Sequence, residues 1–249
     1  QGLAELERRV GVPLFEARGR RRVLRATSAP VLDHARLVVA ATGDLVDWAR
    51  RLQTAETGRV RLGMIDVAAV THFPEVLRAF RAERRNVDLT LSVAPSRTLL
   101  AELERGVLDL VVCVEPPTPI AGIETESLLS EPLVVYGPPG VTIGPPPTWG
   151  PWVLFPANSH TRDGVEHALA ARGAPLDVAA ESHQPDVLRE MVLLGLGWTV
   201  LPRSQGELEP LGLTVGEQLL TRRVVLARRG SAISDPAVDE LAEQLRRPS

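Results

Sequence analysis

The chain has 249 residues, 44% apolar and 24% charged, enough material for two or three modest domains with a sizeable core. No apolar run is long enough to span a bilayer, no signal peptide opens the chain, and a single cysteine excludes an intrachain disulfide, so a cytoplasmic protein without membrane contact is expected. The formal net charge of −3 hides an asymmetry, because residues 1–25 carry seven Arg against three Glu, a balance of +4, and the remainder balances at −7; a basic end on an acidic body suits contact with a polyanion.

All 28 basic residues are arginines, which with the abundance of Ala, Gly and Pro reads as codon bias and not as special chemistry. Residues 2–10 set Leu3, Leu6 and Val10 on one helical face, with Gly11 as the stop. In VPLFEARGRRRVLRA, Gly19 with Arg20, Arg21 and Arg22 lies between two short apolar runs, the pattern of a hairpin tip. Such arginines can reach phosphates; a solvated turn is the plain alternative.

Residues 28–54 carry a longer pattern. Val31, Ala35, Val38, Thr42, Leu45, Ala49 and Leu52 are spaced alternately by four and three, about three heptads, and Leu32, Val39 and Val46 widen the apolar face. Pro30 fits the first turn of this helix, and the small residues Ala35, Thr42 and Ala49 permit close approach of a second helix. The Thr42 hydroxyl is expected to bond a carbonyl one turn back, and Gly43 costs about 1 kcal/mol against Ala. The expected partner is the same helix of another copy; packing of the stripe on its own chain is the alternative.

Strands and helices then alternate. RVRLGMI reads as a strand, THFPEVLRAFRAERR as a helix with Pro74 near its start, and VDLTLSV as a strand. Ser96 opens the helix SRTLLAELERG, which Gly106 stops. LDLVVCV is a continuous apolar strand of the kind a parallel sheet covers on both faces, with Cys113 as a buried, inert thiol. This βαβαβ order describes one lobe of an open α/β fold. EPLVVYG, a strand, leads into the Pro/Gly-rich loop PPGVTIGPPPTWGP. A second α/β set follows: WVLF, a helix near 163–173, DVAAES, a helix near 185–195, and WTVLP. RRVVLARR is a strand, and DPAVDELAEQLRR a final helix with Asp235 as cap and Pro236 at its first position.

Taken in order, these segments resemble the LysR-type transcription regulators. ELERRVGVPLF is similar to the end of that family's recognition helix and the start of its wing, GRRRVL to the wing hairpin, and HAR at 34–36 to the opening of the linker helix. RVRLGM resembles the first effector-domain strand, LAELERGVLDLVV the first-lobe helix with its Gly and Leu-Asp, EPLVVYG the crossover strand, and LREMVLLGLGWTVLP the second-lobe signature. Two departures stand out: the likeness begins inside the recognition helix at Gln1, and LRATS puts Arg25 and Ser28 where the family shows Leu-Thr and a Gly.

The resemblance implies an α/β fold of two Rossmann-like lobes of periplasmic-binding-protein type II, preceded by a wing remnant and a long dimerisation helix. Residues 1–26 would be the C-terminal part of a winged helix-turn-helix and 27–57 the linker helix. Residues 58–134 and 225–249 would form lobe I, and 135–224 lobe II. The implied function is DNA-binding regulation of transcription by a homo-oligomer, a dimer or a dimer of dimers, under control of a small effector between the lobes. With only the end of the recognition helix present, DNA contact through Arg20, Arg21 and Arg22 is expected to follow phosphate charge without sequence choice.

Ligands of such folds lie outside the carboxyl ends of the strands. The candidate effector residues are therefore Ile65, Asp66 and Val67; Ser96 and Arg97; Glu115; and, in the second lobe, Asn158, Ser159, His160, Thr161 and Ser182. Asp163 and Glu166 resemble a capping box, which would start the helix there and leave 158–161 as loop. Helix N-termini favour a carboxylate, whereas Asp66 favours an amine, and an amino acid would satisfy both. For each residue the bland alternative is a helix cap or a solvated loop. Two rival functions make different demands. A solute-binding protein of a transport system calls for a secretory signal and no heptad-bearing helix. An enzyme calls for a catalytic set, yet there is no GxSxG elbow, no GxGxxG and no phosphate loop, and His160 and His167 are seven apart where a helical metal site needs four. No catalytic residue, metal or cofactor is expected.

Overall fold

The structure, a computed structural model, describes residues 2–54, 58–207, 212–233 and 235–247. Helix α1 (Gly2–Val10) ends where Gly11 takes φ +79° and its N–H bonds the Glu7 carbonyl at 2.9 Å. Strands β1 (Phe15–Arg18) and β2 (Arg21–Leu24) form an antiparallel hairpin, and Gly19 supplies the left-handed turn residue at φ +62°. The Glu7 carboxylate accepts from the Leu14 and Phe15 amides at 2.8 and 3.0 Å and so ties α1 to the hairpin.

Helix α2 (Ala29–Thr54) docks on the rest of the chain by a face that the heptad pattern does not include. Ala40, 3% exposed, packs against Gly106, and Leu37 against Gly122; a Cβ on these glycines would come within 3.3 Å of Ala40 Cβ and 2.9 Å of Leu37 Cδ2. Asp44 receives both carboxylate hydrogen bonds from Arg229 Nη2, at 2.8 and 3.0 Å, and Arg229 is itself buried. Asp44→Asn should cost about 1.5–3 kcal/mol, the range for a hydrogen bond to a charged group, read as a lower midpoint in urea unfolding. An unchanged midpoint would mean that α2 is held by its apolar contacts alone.

Beyond α2 come β3 (Arg59–Met64), α3 (Pro74–Glu83), β4 (Asp88–Val93), α4 (Ser96–Glu104), β5 (Leu110–Val114) and β6 (Ile123–Gly137). Then follow β7 (Trp152–Leu154), α5 (His160–Ala171), β8 (Val178–Glu181), α6 (Pro185–Leu193), β9 (Thr199–Pro202), α7 (Arg203–Gly206), β10 (Thr214–Arg229) and α8 (Pro236–Arg246). Six strands form one sheet in the order β4-β3-β5-β10-β6-β9; β3 is parallel to β4 and β5, and β10 is antiparallel to β5 and β6.

The long strands β6 and β10 pair from Ile123 opposite Arg229 to Gly137 opposite Thr214 and run through two cores. One core gathers β3, β5 and the end of β10 under α3, α4 and α8, with Phe80, Leu103 and Leu241 fully buried. The other lies on both faces of β6, β7 and β9, with Trp149, Trp152 and Trp198 on one side and Tyr136, Leu188 and Leu201 on the other. Asp235 caps α8 by accepting from the Ala237 amide, as its sequence position anticipates.

Two expectations need correction. The strands EPLVVYG and RRVVLARR are the buried halves of β6 and β10, whose other halves are polar and partly exposed and so carry no hydropathy signal. Helix α5 starts at His160 and not at Asp163, because Ser159 is the cap, its Oγ accepting from the Thr161 amide at 3.2 Å. Glu166 does not cap backward but accepts from Arg162 Nε at 2.8 Å. After β3 a π-helical turn spans Ala68–His72; Ala68 within it and Val67 before it are buried.

Candidate functional site

Between the two cores lies a cavity of about 270 Å³. Its walls are the ends of β3, β4 and β5 and the starts of α4, α5 and α6, so strand carboxyl ends and helix N-termini converge on one space. Of the candidates, Ile65, Asp66, Val67, Ser96, Ser159 and Thr161 line it. Ser96 Oγ also accepts from the Val114 amide at 3.2 Å, which fixes the start of α4 against β5.

The remaining candidates sit elsewhere. Arg97 and Asn158 line a neighbouring cavity, where Arg97 Nε donates to the Asn158 carbonyl at 3.0 Å. His160 is half-buried with Nδ1 3.3 Å from the Val114 carbonyl; burial lowers its pKa, so the neutral ring donates there instead of facing the cavity. Glu115 accepts from Arg223 Nε at 2.6 Å at the surface. Ser182 Oγ accepts from the Gln184 amide at 3.1 Å and shapes the turn before α6. These three positions are taken up by local structure.

Arg222 was missed in the sequence. It lies on β10, lines the cavity and is 9% exposed. Its Nε and Nη2 donate to Glu131 Oε2 at 2.8 and 2.7 Å, and its Nη1 donates to Thr161 Oγ1 at 2.9 Å. Glu131 Oε1 in turn receives His72 Nε2 at 2.6 Å and the Ser204 hydroxyl at 3.3 Å. A connected path, His72–Glu131–Arg222–Thr161, thus links the turn after β3 to the first turn of α5. Alongside it, the buried Gln205 donates to Thr71 Oγ1 at 2.9 Å. Strand parity was the available signal: Arg222 shares the inward register of Val224, and Glu131 that of Leu133.

The walls differ in charge. Burial raises the Asp66 pKa, and the charge of Asp186 adds to the shift. Burial alone would raise Glu131 too, but the hydrogen bond from His72 and the charge of Arg222 outweigh it and hold the carboxyl below its ordinary range. One side therefore presents a carboxyl group, and the other presents a guanidinium, a hydroxyl and helix starts.

At the far end, Arg20, Arg21 and Arg22 occupy the exposed turn and second strand of the hairpin, with Arg22 Nη1 3.8 Å from Glu7. Along α2, Val38 and Leu45 are 55% and 54% exposed, Ala35 and Thr42 are exposed, and Val31 and Ala49 are half-buried. The Thr42 hydroxyl donates to the Val38 carbonyl at 2.8 Å, one turn back, as expected. The side chain of Leu52 lies outside the described residues. Among the described residues no three His, Cys, Asp or Glu side chains are grouped to hold a metal ion, and no helix is long and apolar enough to cross a membrane.

A family model described as the LysR substrate binding domain matches residues 53–248. The chain is 30% identical over 264 residues to a probable hydrogen peroxide-inducible genes activator of Streptomyces viridosporus, covering 98% of this chain and 82% of that protein. It is 29% identical over 230 residues to the HTH-type transcriptional regulator IlvR of Caulobacter vibrioides, covering 86% and 75%. Among solved structures, the regulatory domain of CcmR from Synechocystis PCC6803, in complex with 2-PG, superposes with a TM-score of 0.66 at 21% identity, covering 76% of this chain and 96% of that domain.

Proposed function

The chain belongs to the LysR-type transcription regulators, and from that premise we propose that its effector is a small amphoteric molecule, an amino acid or close analogue, held in the cavity between the two lobes. The observation that carries this reading is the charge arrangement of the cavity. Asp66 on one wall suits an ammonium group, and Arg222 with Thr161 and the start of α5 on the other suits a carboxylate. The volume of about 270 Å³ is near the lower end for ligand pockets and favours a compact ligand.

Regulation in this reading is cytoplasmic and homo-oligomeric. Residues 27–57 form the dimerisation helix and 1–26 the wing end of the DNA-binding head. Residues 58–134 with 225–249 form lobe I, and 135–224 lobe II. Effector binding changes how the lobes meet and so the spacing of the heads on DNA. The relatives carry names of transcription regulators, which favours this over a transport solute-binding protein. The hydrogen peroxide in one relative's name finds no reactive thiol among the residues of this chain. Cys113 is the sole cysteine, fully buried, and burial pushes its thiol up to about 12, so almost no thiolate exists at neutral pH.

A thermal-shift screen of amino acids and simple carboxylates tests the site. At a hundred times its Kd a ligand should add about 2.7 kcal/mol to wild-type stability. Ser159→Ala with Thr161→Val should abolish most of that response. Asp66→Asn should move the preference from amino acids toward plain carboxylates. Equal responses from wild type and the Ser159/Thr161 variant would put the site elsewhere.

A further inference from the structure

Next to the effector cavity, and sharing Pro95 and His183 with it, is a second cavity of about 330 Å³. We propose that it is a separate binding site for a small oxyanion, a phosphate or phosphate-bearing group, gripped by Arg97 and Arg105. This goes beyond the amphoteric-ligand reading and does not depend on it.

Arg97, Ala101 and Arg105 are four residues apart, so they form one stripe along α4, and all three line the cavity. Ala101, with its small side chain, stands between the two arginines on this stripe. Each group is fixed through its Nε: Arg97 donates to the Asn158 carbonyl at 3.0 Å, and Arg105 to the Ala101 carbonyl at 3.1 Å. Their terminal nitrogens remain available, and neither guanidinium has an ion pair among the described residues. Arg61, Arg162, Arg223 and Arg246, by contrast, pair with carboxylates.

The position of Arg97 is also locally unfavourable. It stands in the first turn of α4, where the positive end of the helix repels a cation, and no acid in that turn offsets it. Its one hydrogen-bond partner among the described residues is the neutral Asn158 carbonyl, which does not offset the charge, and a local rule broken without such an offset is expected at a functional or strained position. An anion on Arg97 and Arg105 would reverse the penalty. Paired guanidinium forks match the oxygens of phosphate, and the Thr98 hydroxyl on the same wall is a further donor.

The site also joins two parts of the molecule. Asn158 precedes α5, so an anion held by Arg97 and Arg105 would strengthen the existing Arg97–Asn158 contact between α4 and the α5 segment. Because His183 and Pro95 belong to both cavities, a ligand with a phosphate on a short stem could occupy both at once.

Isothermal titration calorimetry of the full chain in a phosphate-free buffer decides the matter, with inorganic phosphate and O-phosphoserine as probes. Phosphate should bind the wild type in the millimolar range. Arg97→Gln/Arg105→Gln should weaken it at least tenfold, with circular dichroism unchanged because both side chains are exposed. Arg105→Gln alone, a milder change, should weaken it about threefold. Thr161→Val alone, which keeps the Ser159 cap and Asn158, should leave phosphate affinity intact even where it weakens the response to amino acids, which separates this site from the first cavity. O-phosphoserine binding tenfold tighter than phosphate would assign the site to an organic phosphate that spans both cavities, and equal affinity to the free anion. No phosphate heat with wild type, or the same affinity in the arginine variants, overturns the proposal.

Discussion

Leu45→Asp should halve the mass of the particle seen by light scattering while leaving the protomer folded. The helix α2 docks on its own chain through Leu37, Ala40 and Asp44, and this leaves Val38 and Leu45 at 55% and 54% exposure and Val39 at 69%. The middle of the heptad stripe is therefore open, while Val31 and Ala49 nearer its ends are half-buried. An aliphatic row this long facing water is the pattern of a helix that meets another helix. In a homodimer each substitution appears on both chains, so carboxylates enter the seam from both sides. Burying an unpaired charge there costs on the order of several kcal/mol, enough to dissociate a modest interface. Leu45 touches no core of its own chain, so the far-ultraviolet spectrum should not change. A dimer should become a monomer, and a dimer of dimers should lose the contact made through this helix. Leu45→Ala should weaken assembly without abolishing it. Unchanged mass in a folded Leu45→Asp variant would assign oligomerisation to the lobes alone.

Features encoded within one turn or one strand were legible in the sequence. The Thr42 back-bond, the Gly19 hairpin turn and the Asp235-Pro236 helix start depend only on neighbours a few residues away. The order of strands and helices followed from periodicity, and with it the convergence of strand ends and helix starts on one cavity. Where two local signals competed, distant partners decided. Ser159 caps α5 in place of Asp163, and the earlier start buries Arg162, which then bonds the Phe155 carbonyl and Glu181 across the core. Glu115, His160 and Ser182 stand at the expected strand and helix ends but do not line the cavity, and they bond Arg223, the Val114 carbonyl and the Gln184 amide. Arg222 and Glu131 lie 91 residues apart in sequence, and only the pairing of β6 with β10 brings them together. Strand parity could have flagged each as an inward charge, but not as a pair.

Glu131→Ala should be the most destabilising single change near the cavity, by about 3–5 kcal/mol, the cost of leaving a buried charge without its partner. Glu131 is 3% exposed and Arg222 9%, and among the described residues the carboxylate is the one acid bonded to Arg222. Glu131→Gln should cost less, because the amide oxygen still accepts from Arg222, although the charge is lost and an NH2 donor replaces the acceptor that faces His72 and Ser204. Glu131→Gln combined with Arg222→Met removes both charges and should recover part of the loss, which a double-mutant cycle in urea would read as a positive coupling. The pH dependence has a definite sign. The folded-state pKa of Glu131 lies below the ordinary value of 4.5, so its contribution is full above that value and is lost as pH falls through the folded pKa. Wild type should therefore lose more stability than Glu131→Gln on acidification from about pH 5 to 3. The same substitution should reach the ligand. His72 belongs to the turn that follows Asp66 and Val67, and Thr161 opens α5, so the path through Glu131 holds both walls of the cavity. Effector affinity should fall in Glu131→Gln by more than the stability loss alone explains at temperatures where the variant is fully folded. A Glu131→Ala cost under 1 kcal/mol, with affinity unchanged, would show that water replaces the carboxylate and that the two walls are positioned independently.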